Sequence, residues 1–193
     1  EAHNRSFALF EAVLRGACGE APSEPESADP SFSCDAEDPN FIVQPLKMEK
    51  YLPSRSSPIP PITLVLDLDE TLVHFEESPD GGEFLVRPHA SEFITQMARY
   101  FELVVFTAAV KDYADWILDR IDPHRYITHR LYRHHTQPQN GIYLKDLSRL
   151  GRDLSHVIIV DNNAENFALQ PENGIYIKTW HDDPGDNALP QLA

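Results

Sequence analysis

The sequence predicts an α/β fold built on a largely parallel sheet, and three observations carry that expectation. Four aliphatic runs, "ITLVLDL" (62–68), "ELVVFTAA" (102–109), "HVIIVDNN" (156–163) and "GIYIKTW" (174–180), lack polar–apolar alternation, the pattern of strands buried on both faces. Segments with helical spacing follow the first two runs, and strands alternating with helices imply a parallel sheet with right-handed crossovers. Polar residues stand where three of the runs give out, at Asp67, Thr107 and Asp161. Ligands of such sheets bind beyond the carboxyl ends of the strands, so these three residues are expected on one rim.

Along the chain, residues 1–18 contain "NRSFALFEAVLRG", an amphipathic helix with Asn4 as cap, Phe7, Phe10 and Leu14 on one face, and Gly16 at its end. It is expected to dock on its own domain, with binding to a partner protein as the alternative. Residues 19–40 are acidic and rich in Pro and Ser, a flexible linker. Residues 41–61 form an extended, proline-punctuated lead-in lying along the domain surface. Residues 62–193 form the main domain. Its first strand is followed by Asp80-Gly81-Gly82, a tight hairpin turn. "HASEFITQMARYF" then predicts a helix with Phe93, Met97 and Tyr100 on one stripe, and "KDYADWILDRI" predicts the next. Trp116 and Trp180 read as core.

The net charge of −15 argues against a nucleic-acid backbone as partner. There is no membrane span in this stretch of chain and no secretory signal pattern. Cys18 and Cys34 do not make a disulfide framework, which points to a reducing, intracellular setting, nuclear or cytoplasmic.

In so acidic a chain, ending an aliphatic strand with Asp67, Asp69 and Glu70 needs a reason. Two carboxylates at ~4 Å repel by roughly 4 kcal/mol at an effective dielectric near 20. Asp67 and Asp69 are two apart, so in extended backbone they point the same way, with Leu68 between them to anchor the turn. Paired carboxylates at a strand end suit a hard cation such as magnesium, which prefers oxygen ligands. The plain alternative is a chance D-x-D of solvated acids, made less attractive by the buried strand before it and Thr71 after it. His129, His134 and His135 lack the partner set of a zinc site and read as solvated or substrate-side residues.

"LDLDETLVH", "VRPH", "LVVFTAA", "YLKDLSRLGRDLS" and "IIVDN", in that order, resemble the small C-terminal-domain phosphatases. These are the NLI-interacting-factor-like, D-x-D-x-T protein phosphatases of the haloacid-dehalogenase superfamily. The resemblance runs from about Thr63 to Leu189 and implies a haloacid-dehalogenase-like (Rossmann-like) parallel sheet flanked by helices, with residues 62–193 as a phosphatase catalytic domain. It implies Asp67 as the nucleophile that becomes an aspartyl-phosphate, and Asp69 as the general acid and then base. Covalent catalysis divides one hard displacement into two, and one carboxyl group can give and retake a proton. It further implies Thr107 on a phosphoryl oxygen and Lys145 holding the nucleophile and phosphate. Magnesium would sit with Asp67, the Asp69 backbone carbonyl and Asn162, with Asp161 supporting. Arg133 would contact the substrate phosphate, Thr71 would buttress the loop, and Val110 and Tyr113 would lie on the substrate side.

The sequence departs from that family in three places. Only "FEESPDGGEFL" separates the first two motifs, a short hairpin insertion in place of a cap domain or the longer insertion of the polymerase-tail enzymes. "DNNA" replaces the usual "DNSP", and the chain stops at "NALPQLA" where the family continues into a further helix. An uncapped site suits a phosphorylated loop of another protein. The expected function is therefore a magnesium-dependent protein serine/threonine phosphatase, ahead of a small-molecule phosphatase. The competing class is a non-catalytic binding or scaffold module of the same fold, as in the mitochondrial import receptor, which usually lacks the acidic pair.

Overall fold

The computed structural model describes residues 49–55, 60–77 and 82–193. The expected N-terminal helix and linker, and most of the 80–82 turn, lie outside the described residues. The strands are β1 (Ile62–Leu66), β2 (Val73–Glu76), β3 (Glu83–Val86), β4 (Phe101–Phe106), β5 (Ile127–Leu131), β6 (Gln137–Gln139), β7 (Ile142–Leu144), β8 (Val157–Asp161) and β9 (Gly174–Tyr176). The α-helices are α1 (Ala90–Met97), α2 (Lys111–Ile121) and α3 (Ala188–Leu192). The main sheet has the order β5-β4-β1-β8-β9, with all pairs parallel. Two hairpins, β2–β3 and β6–β7, stand apart from it.

The missing alternation in the aliphatic runs has a direct cause. Ile62, Leu64 and Leu66 of β1 pack with Leu103, Val105, Ile158, Val160 and the buried faces of α1 and α2. Val65 points the other way, into a second core with Val104, Phe106, Ile159, Leu147, Leu150 and Leu52. Both faces of the sheet are dry, and burying each such side chain contributes about 1.5–3 kcal/mol. The second face is covered by one-turn 3-10 segments and by residues 49–55, which are tied down by Tyr51 N–H donating to the Arg149 carbonyl (2.7 Å).

α2 spans the predicted residues, and Ala114, Ile117, Leu118 and Ile121 are its buried face. α1 is shorter than expected. It ends at Met97, so Tyr100 lies beyond the helix, half exposed, and Phe101 takes the buried place as the chain enters β4. Trp116 is likewise not core. It lies on the outer face of α2, 40% exposed, edge-on to Phe84 with Arg120 over its ring. Trp180 is buried, its indole N–H donating to the Asp183 carbonyl at 2.8 Å. β5 is an additional edge strand, its Arg130 paired with Asp115 and Asp119 of α2.

Candidate active site

The sheet register brings the three strand ends together. Leu66 pairs with Val105 on one side and Val160 on the other, so Asp67 and Asp161 emerge at the same level and Thr107 one residue further along. Asp67 N–H donates to the Val160 carbonyl (3.0 Å) and Thr107 N–H to the Leu131 carbonyl (3.0 Å). After Asp67 the chain turns sharply. Leu68 is fully buried and its carbonyl accepts from the amides of Thr71, Leu72 and Val73. Glu70 sits in the left-handed region (φ 57°), unfavourable for a non-glycine residue by about 1–2 kcal/mol. Its amide donates to the Val73 carbonyl (2.6 Å) and its carbonyl accepts from Trp180 N–H (2.9 Å), which holds the turn.

At the centre stands Lys145, fully buried. β7 delivers it, and its own amide donates to the Asn166 carbonyl at 2.6 Å. Its Nζ donates to Asp67 Oδ1 at 2.5 Å and to Asp161 Oδ2 at 2.6 Å. Burial works to lower the lysine's affinity for its proton, but the two carboxylates outweigh it and raise it. Asp67 is pushed up to about 7, first by burial and then by the charges of Asp161 and Asp69, with Lys145 opposing.

Both Asp161 oxygens are taken by protein donors: Lys145, the Asn163 amide (2.8 Å) and the Asn166 side-chain amide (3.1 and 3.2 Å). Thr71 Oγ1 donates to Asp67 Oδ2 (3.1 Å) and also lies 3.4 Å from Asn162 Oδ1. The Asn162 amide nitrogen donates to Thr179 Oγ1 (3.2 Å), which leaves its oxygen facing the Thr71 hydroxyl. Two hard oxygens, Asp67 Oδ2 and Asn162 Oδ1, thus lie on the same Thr71 hydroxyl, while Lys145 Nζ engages the other Asp67 oxygen. That donor set fits magnesium.

Asp69 has a different environment. Its Oδ1 accepts from the Tyr113 hydroxyl (2.8 Å) and its Oδ2 from the Thr107 hydroxyl (3.3 Å), whose oxygen also accepts from Ala109 N–H (2.9 Å). Burial, reinforced by the Asp69 and Glu70 charges, raises the Tyr113 hydroxyl, so it stays a donor. Arg133 is exposed at the edge of the same region. Its backbone amide donates to the Ala109 carbonyl (2.9 Å), its Nε to the Ala108 carbonyl (2.5 Å), and its guanidinium lies over the Tyr143 ring. Val110, the residue before α2, is 51% exposed. The three histidines do not converge on this centre. His129 faces Glu102 at 3.6 Å, whereas His135 accepts from the Tyr132 amide (3.0 Å) and packs against His134.

Sequence reasoning overlooked the support behind the site. Arg87 is fully buried and donates to both oxygens of Asp186 (2.7 and 2.9 Å), to the Thr71 carbonyl (3.0 Å) and to the Lys178 carbonyl (2.9 Å). The one hint is an arginine in an otherwise apolar setting, "FLVRPH". Asn166 and Thr179, which orient Asp161 and Asn162, carry no comparable signal.

The NLI interacting factor-like phosphatase family model matches residues 62–193. The chain belongs to this family. It is 42% identical over 158 residues to CTD small phosphatase-like protein 2 of Dictyostelium discoideum, covering 74% of this chain and 28% of that one. It is also 39% identical over 131 residues to the mitochondrial import inner membrane translocase subunit TIM50 of Kluyveromyces lactis, covering 67% of this chain and 27% of that one. The chain spans from about a quarter to just over half of the length of the curated relatives it matches. Among solved structures, the fission yeast RNA polymerase II CTD phosphatase Fcp1 shares the fold, with a TM-score of 0.52 at 20% identity over 67% of this chain and 48% of that chain. The parallel five-stranded sheet flanked by helices is accordingly of the haloacid-dehalogenase-like type. No helix among the described residues is long and apolar enough to cross a membrane.

Proposed function

We propose that this chain is a magnesium-dependent protein serine/threonine phosphatase that works through an aspartyl-phosphate on Asp67. The observation that carries the reading is the unequal setting of the two acids at one strand end. Asp67 is buried against the Lys145 ammonium, whereas Asp69 meets only neutral hydroxyls. Such divergent environments separate the roles of paired carboxyls. Asp67 attacks phosphorus while Asp69 protonates the departing oxygen. Asp69 then takes a proton from the water that releases phosphate.

Magnesium would be held by the Asp67 carboxylate, the Asn162 side-chain oxygen and the Asp69 carbonyl, and would supply positive charge to the phosphoryl oxygens. Asp161 serves this group indirectly, by fixing Lys145. Thr107 and Lys145 donate to phosphoryl oxygens, Thr71 steadies Asp67, and Arg133 meets the phosphate from the rim. Phosphate-monoester hydrolysis is so slow uncatalysed that enhancements reach ~10²¹. Positioning accounts for roughly 7–11 kcal/mol, and the remainder falls largely to charge stabilisation by these groups. Val110 and Tyr113 flank the opening, and eleven residues between the first two motifs leave it uncapped, which favours a phosphorylated loop of an intracellular protein over a small metabolite.

The test is hydrolysis of p-nitrophenyl phosphate with and without magnesium, then of phosphoserine and phosphothreonine peptides against small phosphate esters. Wild type is expected to turn over in magnesium only and to prefer peptides, and Asp67→Asn to be inactive. Equal rates for the two proteins overturn the reading. The kinship with TIM50 favours a second reading, a non-catalytic binding or scaffold module of the same fold. An Asp67→Asn chain that still performs the cellular role would support it.

A further inference from the structure

Asp69 is gripped more elaborately than a solvent-facing acid requires. Its Oδ1 accepts the Tyr113 hydroxyl at 2.8 Å, and Tyr113 comes from the first turn of α2, whose apolar face is sunk in the core. The Tyr113 ring is met edge-on by Phe75 of β2, with centroids 5.7 Å apart and planes at 78°. One turn further along α2, Trp116 is met edge-on by Phe84 of β3, at 4.9 Å and 80°. Positions i and i+3 share a helix face, so the two strands of the hairpin clasp α2 at two adjacent points. Edge-to-face contact is a preferred geometry of aromatic pairs.

We propose that Tyr113 is a positioning residue for the general acid, and that the short β2–β3 hairpin seats it through Phe75. This rests on the phosphatase reading above. A tyrosine acting only as an apolar wall for substrate has no need to commit its hydroxyl to Asp69. With Tyr113 donating to Oδ1, and Thr107 turning its hydroxyl from Oδ2 to a phosphoryl oxygen once substrate is bound, the proton of the neutral carboxyl resides on Oδ2, at the end of β4. In the first step the bond from an Asp67 oxygen to phosphorus forms as the ester P–O bond breaks. The Asp69 Oδ2 proton passes to the departing oxygen and leaves as alcohol, and Asp69 remains as a carboxylate with Tyr113 still donating to Oδ1. In the second step water attacks phosphorus, its proton returns to Asp69, and Asp67 is freed. The hydroxyl keeps the carboxyl from rotating between these two tasks.

A positioning role has a kinetic signature that a structural role lacks. Assistance to the leaving group matters little when that group is already a stable anion and greatly when it is basic. The experiment compares kcat/KM in magnesium for substituted phenyl phosphates of similar size, from p-nitrophenyl phosphate to phenyl phosphate, whose leaving group is about as basic as a tyrosinate, near 10. Tyr113→Phe is expected to lose about tenfold or more on phenyl phosphate beyond its loss on p-nitrophenyl phosphate, steepening the dependence on leaving-group basicity. Phe75→Leu, which leaves the hydroxyl in place but unseats the ring, is expected to steepen it in the same sense and by less. Parallel losses across the series in Tyr113→Phe, or a change confined to KM, overturn the proposal while leaving the phosphatase reading intact. Parallel losses in Phe75→Leu alone overturn the hairpin's part. A wild-type chain that hydrolyses none of the esters removes the reading and the proposal together.

Discussion

Replacing Lys145 with methionine tests the centre of the site without opening a large cavity, because methionine approaches lysine in length and adapts to irregular space. What it removes is the ammonium that lies 2.5 Å from Asp67 and 2.6 Å from Asp161. The two carboxylate oxygens it joins are therefore no more than about 5 Å apart. Left facing each other, ionised, they would repel by roughly 3 kcal/mol at an effective dielectric of 20. The alternative is that one binds a proton it does not ordinarily hold. Removing one partner of a buried pair costs about 3–5 kcal/mol, a large share of the ~5–15 kcal/mol that stabilises a domain.

Urea unfolding of metal-free protein at neutral pH is the assay. With a slope of about 2 kcal/mol/M, the midpoint of Lys145→Met should fall by about 1.5–2.5 M. Adding Asp161→Asn to the same protein removes the repulsion and should return part of the loss, with a coupling of about 2 kcal/mol in the double-mutant cycle. A single-variant loss below about 1 kcal/mol, or additive losses, would refute the claim that Lys145 is what allows both acids to be buried.

Three further outcomes follow from other groups. At the opposite end of the strands, burial works to raise the Glu102 carboxyl, but donors on Arg152, Thr63 and Arg55 hold it at about 2 against its ordinary 4.5. A depressed carboxyl stabilises the fold above its ordinary value and stops doing so as pH falls towards about 2. The unfolding free energy of wild type in urea should thus drop by up to ~3 kcal/mol between pH 5 and 2, and that of Glu102→Gln should drop less. Asp67 has the opposite sign: raised to about 7 from 3.8, it makes metal-free protein lose stability as pH rises between those values. Magnesium should raise the melting temperature of wild type at pH 7.5 and leave Asp67→Asn unmoved. Arg87→Met strands Asp186 and frees the Thr71 and Lys178 carbonyls. At about 3–5 kcal/mol and roughly 2–4 °C per kcal/mol for a chain of this length, calorimetry should show a fall of about 6 °C or more.

Where the fold was legible in the chain, burial on both faces had written it there. β1, β4 and β8 are apolar on both faces for most of their length because neither face meets water, and α2 announces itself by the period of Ala114, Ile117, Leu118 and Ile121. β5 has no such signature. Its middle residues, His129 and Arg130, are acceptable in a strand only because Glu102, Asp115 and Asp119 wait for them on neighbouring elements. Trp116 misled for a related reason, since a large aromatic can be spent on a surface clasp with Phe84 and Arg120 as readily as in a core. Within the site, Asp67, Asp69, Thr107, Asp161 and Asn162 come together because each follows or ends a strand whose position the pattern dictates, whereas Lys145 follows β7, a short hairpin strand that the pattern does not mark, and is legible only through the family resemblance. Arg87 could not be read this way, because its partners, Lys178 and Asp186, lie about a hundred residues downstream.

The electrostatics tie these pieces to one requirement. With Asp67 and Asp161 both ionised around a single ammonium, the buried trio carries a net charge of −1, and Asp69 stands beside it. A phosphate ester brings further negative charge to that same place, where the Thr107 and Thr71 hydroxyls are neutral. Burial first, and then the neighbouring acids, carry Asp67 up to about 7 against the pull of Lys145. A divalent ion between Asp67 and Asn162 would turn the trio from −1 to +1, restore Asp67 as a carboxylate and admit the ester. On the proposed reading, the acids that make the site look hostile to phosphate are what reserve it for phosphate arriving with a metal.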